Sequence, residues 1–117
     1  MKPKKANLTA AKYKTSKKSA IRTMTYNVHS CVNMAGEVRP EQVAGVIDEL
    51  SPDLLALQEV DVGIPRTQHQ DQAKILGKML GMNYKFFPVV KNGAQKYGLA
   101  ILSRFPFRHV RVGCLGI

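Results

Sequence analysis

An α/β layered sheet is the fold class this 117-residue sequence predicts. Two observations carry that expectation. The hydrophobic period alternates between strand-like and helix-like stretches in the order βαβ, α, then a hairpin. One of the strands, residues 54–57, is a continuous apolar run of the kind covered on both faces. With 44% hydrophobic and 22% charged residues, 9 Gly and 6 Pro, the composition excludes disordered and collagen-like classes.

The elements follow in order. Residues 21–28 are rich in β-branched and aromatic side chains and read as a strand. Gly36 and Pro40 bracket the start of a helix whose apolar positions Val43, Val46, Ile47 and Leu50 recur at helical spacing, with Pro40 and Glu41 suited to its first turn. Ser51-Pro52 stops it, and the apolar run then ends in Gln58-Glu59-Val60-Asp61. After a loop with Gly63 and Pro65, Thr67 and Gln70 have capping-box spacing ahead of a second helix. Its apolar side is Ala73, Leu76, Met79 and Leu80, and Gly81 closes it. Residues 84–90 and 96–105 read as two strands joined across Asn92-Gly93, a preferred hairpin turn.

The formal charge of +10 divides unevenly. Residues 1–20 hold seven lysines and no acid, while the other 97 residues hold 11 Lys or Arg against 8 acids. The first segment is expected to be a solvated, disordered tail, with attraction to phosphates, to acidic lipid or to a targeting receptor as the alternatives. Residues 21–117 are expected to form the folded body. No secretory apolar core and no run of ~18 apolar residues is present, so the sequence predicts no transmembrane segment. Cys31 and Cys114 make neither a disulfide framework nor a Cys-rich zinc site, so reduced thiols in the cytoplasm are expected.

Asn27 and Glu59 each fall at the C-terminal end of a predicted strand, and a helical crossover links the two strands. Sites in α/β sheets form outside such strand ends. A carboxylate and an amide oxygen suit Mg²⁺, which takes few carboxylates and keeps positions for water and phosphate. A solvated strand-end acid and a turn-forming Asn explain the same residues. His29, two residues on, would share a face with Asn27 and could bond a phosphate or assist proton transfer, or it is a structural histidine. Arg66 could grip a phosphate through its fork, or it is a surface arginine. His69 and His109 have no partner at metal-binding spacing.

Three blocks then carry a resemblance: Thr25-Tyr26-Asn27-Val28-His29, the run from Pro52 through Gln58-Glu59-Val60-Asp61, and Tyr97-Gly98-Leu99-Ala100-Ile101-Leu102-Ser103-Arg104-Phe105-Pro106. Together they resemble the endonuclease/exonuclease/phosphatase superfamily, the deoxyribonuclease-I-like metal-dependent phosphoesterases. The resemblance implies the N-terminal half of a four-layer α/β/β/α sandwich. It also implies hydrolysis of a phosphodiester or phosphomonoester, with a divalent metal, Mg²⁺ or in its place Mn²⁺, on Asn27 and Glu59. Asp61, Arg66 and the Asp71-Gln72 pair match family positions of less defined role. Ala35 and Leu99 stand where many members have polar residues.

The family's later Gly-Asp-x-Asn and Ser-Asp-His segments have no counterpart in the sequence, so a truncated and impaired enzyme is expected. A non-catalytic remnant, or a nucleic-acid-binding module that uses the basic tail, are the alternatives. The substrate class stays open between nucleic acids and other phosphate esters. A sheet face lacking its partner, with Leu55, Leu57, Ala100 and Leu102, is expected to favour self-association.

Overall fold

The computed structural model describes residues 20–113. The lysine-rich segment up to residue 19 and Cys114, on which expectations were placed above, lie outside the described residues. Strand β1 (Thr23–Asn27) leads through a short left-handed turn to helix α1 (Pro40–Leu50) and strand β2 (Leu54–Val62). A single 3-10 turn (Pro65–Thr67) precedes helix α2 (Gln72–Leu80), and the hairpin of β3 (Asn83–Asn92) and β4 (Gln95–Ser103) follows. The strand order is β1-β2-β4-β3, with β1 and β2 parallel and the other pairs antiparallel. The expected α/β class, strands and helices are present. Among the described residues, no helix is long and apolar enough to cross a membrane.

Both helices lie on one face of the sheet. Val43, Ala44 and Ile47 of α1 and Ala73, Leu76 and Leu80 of α2 share one core with Leu55, Leu57, Val60, Ala100 and Leu102 of the two central strands. The residues expected on the uncovered face are therefore the ones beneath the helices. The open face instead carries their neighbours Leu54, Ala56, Leu99 and Ile101, because a one-residue offset reverses the face in a strand. Leu54 and Ala56 are half-buried, so the run at residues 54–57 is fully covered on one side only.

Three local expectations also shift. On α1 the buried stripe runs through Val43, Ala44 and Ile47, whereas Val46 and Leu50 are exposed. Helix α2 is capped by Asp71, whose carboxylate accepts the Lys74 N–H at 3.1 Å, rather than by a Thr67–Gln70 box. The tight turn is Gly93-Ala94, flanked by the Asn92–Gln95 pair, one residue later than the Asn-Gly signal suggests. Gly93, at φ 60, occupies the first central position, where a two-residue hairpin turn favours glycine.

At the far end of the sheet, a buried ion pair ties the strand starts together. Asp53 accepts from the Arg104 guanidinium and, at 2.7 Å, from the Arg22 N–H. Its own N–H donates to the Arg22 carbonyl at 2.7 Å, and the Arg104 N–H returns to the Asp53 carbonyl at 3.0 Å. This closed exchange fixes β1, β2 and the end of β4 relative to one another, and so sets the register that aligns the opposite strand ends.

Candidate functional site

The opposite end is where the polar residues gather. Asn27 ends β1 and registers against Gln58 of the parallel neighbour β2. On the other side of β2 the ladder slips, because Leu57 pairs with Ala100 and Val60 with Gly98, so Gln58 and Glu59 together oppose Leu99. Glu59 is the left-handed residue of this β-bulge, at φ 57. A non-glycine residue costs about 1–2 kcal/mol there. The bulge turns the Glu59 side chain out of the core, towards the end of β1.

The Asn27 side-chain amide donates to Glu59 Oε2, while Asn27 Oδ1 accepts the His29 N–H at 3.0 Å. His29 Nδ1 stands 3.7 Å from Glu59 Oε1, with 78% of its side chain exposed. Asn27, His29 and Glu59 are thus brought together as one cluster. The Asn27 amide holds the Glu59 carboxyl below its ordinary range against a smaller opposing effect of burial; Tyr97 and His29 add to the lowering. Glu59 is therefore an anion at neutral pH. A cleft of about 600 Å³ opens alongside, lined by Asn27, His29, Tyr26, Arg39 and Val46 among others.

Arg66 sits in the 3-10 turn beyond β2, and its fork is spent inside the protein. Its Nε and Nη2 reach Asp61 at 3.0 and 2.9 Å, Nη2 also meets Ser30 Oγ at 3.4 Å, and its Cζ lies 5.5 Å from the Tyr97 ring centre. Of the two alternatives for Arg66, a phosphate fork or a surface arginine, the arrangement commits Nε and Nη2 to Asp61 while the side chain stays 58% exposed. Nη1 takes part in none of these bonds.

Beneath Arg66 is a network that joins Asp61 and Gln72, family positions of undefined role in the sequence, to Ser30 and Thr67, which sequence reasoning missed. Asp61 is fully buried. It accepts from Ser30 Oγ at 3.0 Å and Thr67 Oγ1 at 2.9 Å, besides Arg66. Burial alone would raise its carboxyl, but the bonds from Arg66, Thr67 and Ser30, with the Arg66 charge, hold it below the usual value. Gln72 spans the same group, accepting the Asp61 N–H at 3.0 Å and donating to the Ser30 carbonyl at 2.7 Å. The network anchors three consecutive left-handed residues, His29, Ser30 and Cys31, at φ 51, 55 and 56. Asp61, Arg66 and Gln72 stand out in the sequence only as family positions of undefined role, and Gly98 inside a strand marks the bulge beside them. The His69 ring lies 3.3 Å from the Gly63 carbonyl, and His109 is exposed outside this cluster.

The donor set can be tested against a divalent cation. Among the described residues, no group of three or more His, Cys, Asp or Glu is placed to hold a metal. Asn27 and Glu59 offer one amide oxygen and one ionised carboxylate. That is a fit for Mg²⁺, which is commonly held by one or two carboxylates and completes its octahedron with water and phosphate.

The model of the Endonuclease/Exonuclease/phosphatase family matches residues 24–117. The chain belongs to this family. Among solved structures it is similar to an endonuclease/exonuclease/phosphatase from Beutenbergia cavernae DSM 12333, with 26% identity and a TM-score of 0.58. That match covers 77% of this chain and 27% of the other. It also shares its fold with an endonuclease/exonuclease/phosphatase family protein from Leptotrichia buccalis C-1013-b, at 19% identity and a TM-score of 0.53, over 77% of this chain and 40% of that one. This endonuclease/exonuclease/phosphatase chain therefore spans less than half the length of either of these two structures. No curated protein matches it significantly.

Proposed function

We propose that this sheet end is the metal- and phosphate-binding part of a divalent-metal-dependent phosphoesterase, a hydrolase of phosphodiesters or phosphomonoesters. The observation that carries the reading is Glu59, an anion turned outward by a strained bulge and joined to Asn27 at the ends of two neighbouring parallel strands. Asn27 and Glu59 would hold Mg²⁺, with Mn²⁺ able to replace it. Such an ion polarises a phosphoryl oxygen and offsets the charge that develops in an in-line displacement.

His29 would donate to a phosphate oxygen bound beside Glu59, and Arg66 would offer Nη1 as a single donor. Among the described residues, only His29 combines a titratable nitrogen with proximity to Glu59. Its exposed ring is not clamped by a second partner, so proton transfer through it is poorly oriented. This chain alone is expected to turn over slowly, by about 10²–10⁴ relative to a protein with a positioned base.

The test is a Mg²⁺ titration of amide chemical shifts near Val28 and Val60, paired with a nuclease and phosphatase substrate panel with and without chelator. Glu59→Ala should abolish both the shifts and any metal-dependent turnover. A Glu59→Ala chain that responds to Mg²⁺ as the wild type does would place the metal elsewhere. Salt-sensitive, chelator-insensitive binding of nucleic acid without turnover would favour the binding-module reading instead.

A further inference from the structure

Asp61 lies two residues beyond Glu59, yet it has no capacity left for a cation. An ionised carboxylate offers about four lone-pair sites. All four are taken: Oδ1 by Ser30 Oγ and Arg66 Nη2, and Oδ2 by Arg66 Nε and Thr67 Oγ1. The group is fully buried beneath those donors.

We propose that Asp61 is a positioning residue for the candidate metal site, acting through two arms; the metal half of this inference rests on the reading given above. The first arm is Ser30. Its hydroxyl is held by Asp61 at 3.0 Å and its carbonyl by Gln72 at 2.7 Å, and Gln72 is itself bonded to the Asp61 N–H. Ser30 is the middle residue of the left-handed turn, which L-residues do not adopt without such support. The turn carries the His29 N–H that fixes Asn27 Oδ1. Asp61 thereby orients one proposed metal donor without touching it.

The second arm is Arg66, clamped by two bonds so that its guanidinium covers the Tyr97 ring. Tyr97 registers against Asp61 across the β2–β4 ladder, two residues past the bulge that holds Glu59. The Asp61–Arg66 clamp thus restrains the partner strand where it faces the other proposed donor. Outer-shell carboxylates of this kind orient metal ligands, and losing one typically costs 10–100-fold in metal affinity or activity.

The experiment compares Asp61→Asn with Thr67→Val in the full chain. Thr67→Val removes a buried donor from the same carboxylate but leaves the Ser30 and Arg66 arms in place, so it controls for a merely structural role. Mg²⁺ affinity is read from the Asn27 side-chain amide and the Glu59 N–H. The expected result is a 10–100-fold loss in Asp61→Asn and a change under about 2-fold in Thr67→Val, although both melt earlier. Amide exchange gives a readout independent of metal: Cys31 and Val32, whose N–H groups close the turn onto Val28 and His29, should lose protection in Asp61→Asn only.

If Asp61→Asn does not fold, Ser30→Ala removes the hydroxyl bond of the first arm while keeping both Asp61–Arg66 bonds, and should reproduce the exchange result with a smaller loss of affinity. Equal effects of the variant and the Thr67→Val control, on affinity or on exchange, would overturn the proposal. A wild-type chain without any Glu59-dependent Mg²⁺ response would defeat the metal reading, and the exchange comparison would then decide the positioning role by itself.

Discussion

Gly98→Ala is the substitution whose cost the geometry sets most directly. Gly98 pairs with Val60 on one side and Pro88 on the other, between the two places where the ladders slip. A methyl group added there would lie 2.2 Å from the Phe87 carbonyl oxygen and 2.9 Å from both Pro88 Cα and the Val89 nitrogen. All three obstacles are backbone, so no side chain can swing aside and β3 itself has to move. Overpacking typically costs about 1–3 kcal/mol, and a rigid backbone obstacle belongs at the upper end.

Against this, replacing glycine by alanine stabilises through the unfolded chain by about 0.4–1 kcal/mol. The net loss is then about 2 kcal/mol. For a domain of this size each kcal/mol moves Tm by about 4–8 °C, so a fall of about 8–16 °C is expected in a melt followed by circular dichroism. Gly113→Ala is the control, because an added methyl meets nothing within 4 Å. It should stay within about 0.5 kcal/mol of wild type. A Gly98→Ala chain that melts within about 3 °C of wild type would refute the close approach of β3 to β4 and, with it, the paired bulges that aim Glu59.

Three further outcomes are expected. Arg104→Met leaves the buried Asp53 carboxylate without its main cation and should cost about 3–5 kcal/mol in urea unfolding, and a loss under about 1 kcal/mol would mean that the pair is not sealed from water. Asp61 and Glu59 both ionise below their ordinary values in the folded chain, so the stability they contribute is present at neutral pH. It should drain away as pH falls below about 4, and Asp61→Asn should flatten that acid limb in urea melts at stepped pH. Burial, then the Asp61 and Glu41 charges, push the Cys31 thiol up to about 12. Iodoacetamide at pH 8 should therefore spare the Cys31 peptide in the native chain and label it in urea, and native labelling at the rate of a free thiol would contradict this.

The parts of the fold legible in the sequence are those set by local chemistry. Pro40 opens α1, Gly81 closes α2 in the left-handed conformation at φ 63, and the two strands of the hairpin bracket a glycine turn. These signals need no knowledge of what packs where. The errors arose where tertiary contacts decide. Thr67 and Gln70 carry the spacing of a capping box, but the Thr67 hydroxyl is drawn to the buried Asp61 carboxylate, and Asp71 caps the helix instead. Val46 keeps helical spacing with Val43, yet α1 turns its smaller Ala44 inward, because α2 packs close against it.

The candidate site exposes a limit of a different kind. Read with strict alternation, Leu55, Leu57, Glu59 and Asp61 all share one face of β2, which would bury Glu59 beneath the helices beside Leu57. The bulge inserts one residue, so Val60 returns to the core and Glu59 is released to meet Asn27. The same insertion leaves Asp61 facing Ser30 and Arg66 rather than the hydrophobic core. Nothing within residues 54–62 marks this step, because Gln58 and Glu59 are ordinary strand-end residues by composition. Its trace lies on the partner strand, in Gly98, where only a residue without a side chain lets β3 approach the bulged ladder. The candidate site residue Glu59 is thus delivered to the surface with the help of a glycine that makes room for β3, and the two are linked only once β2 and β4 pair.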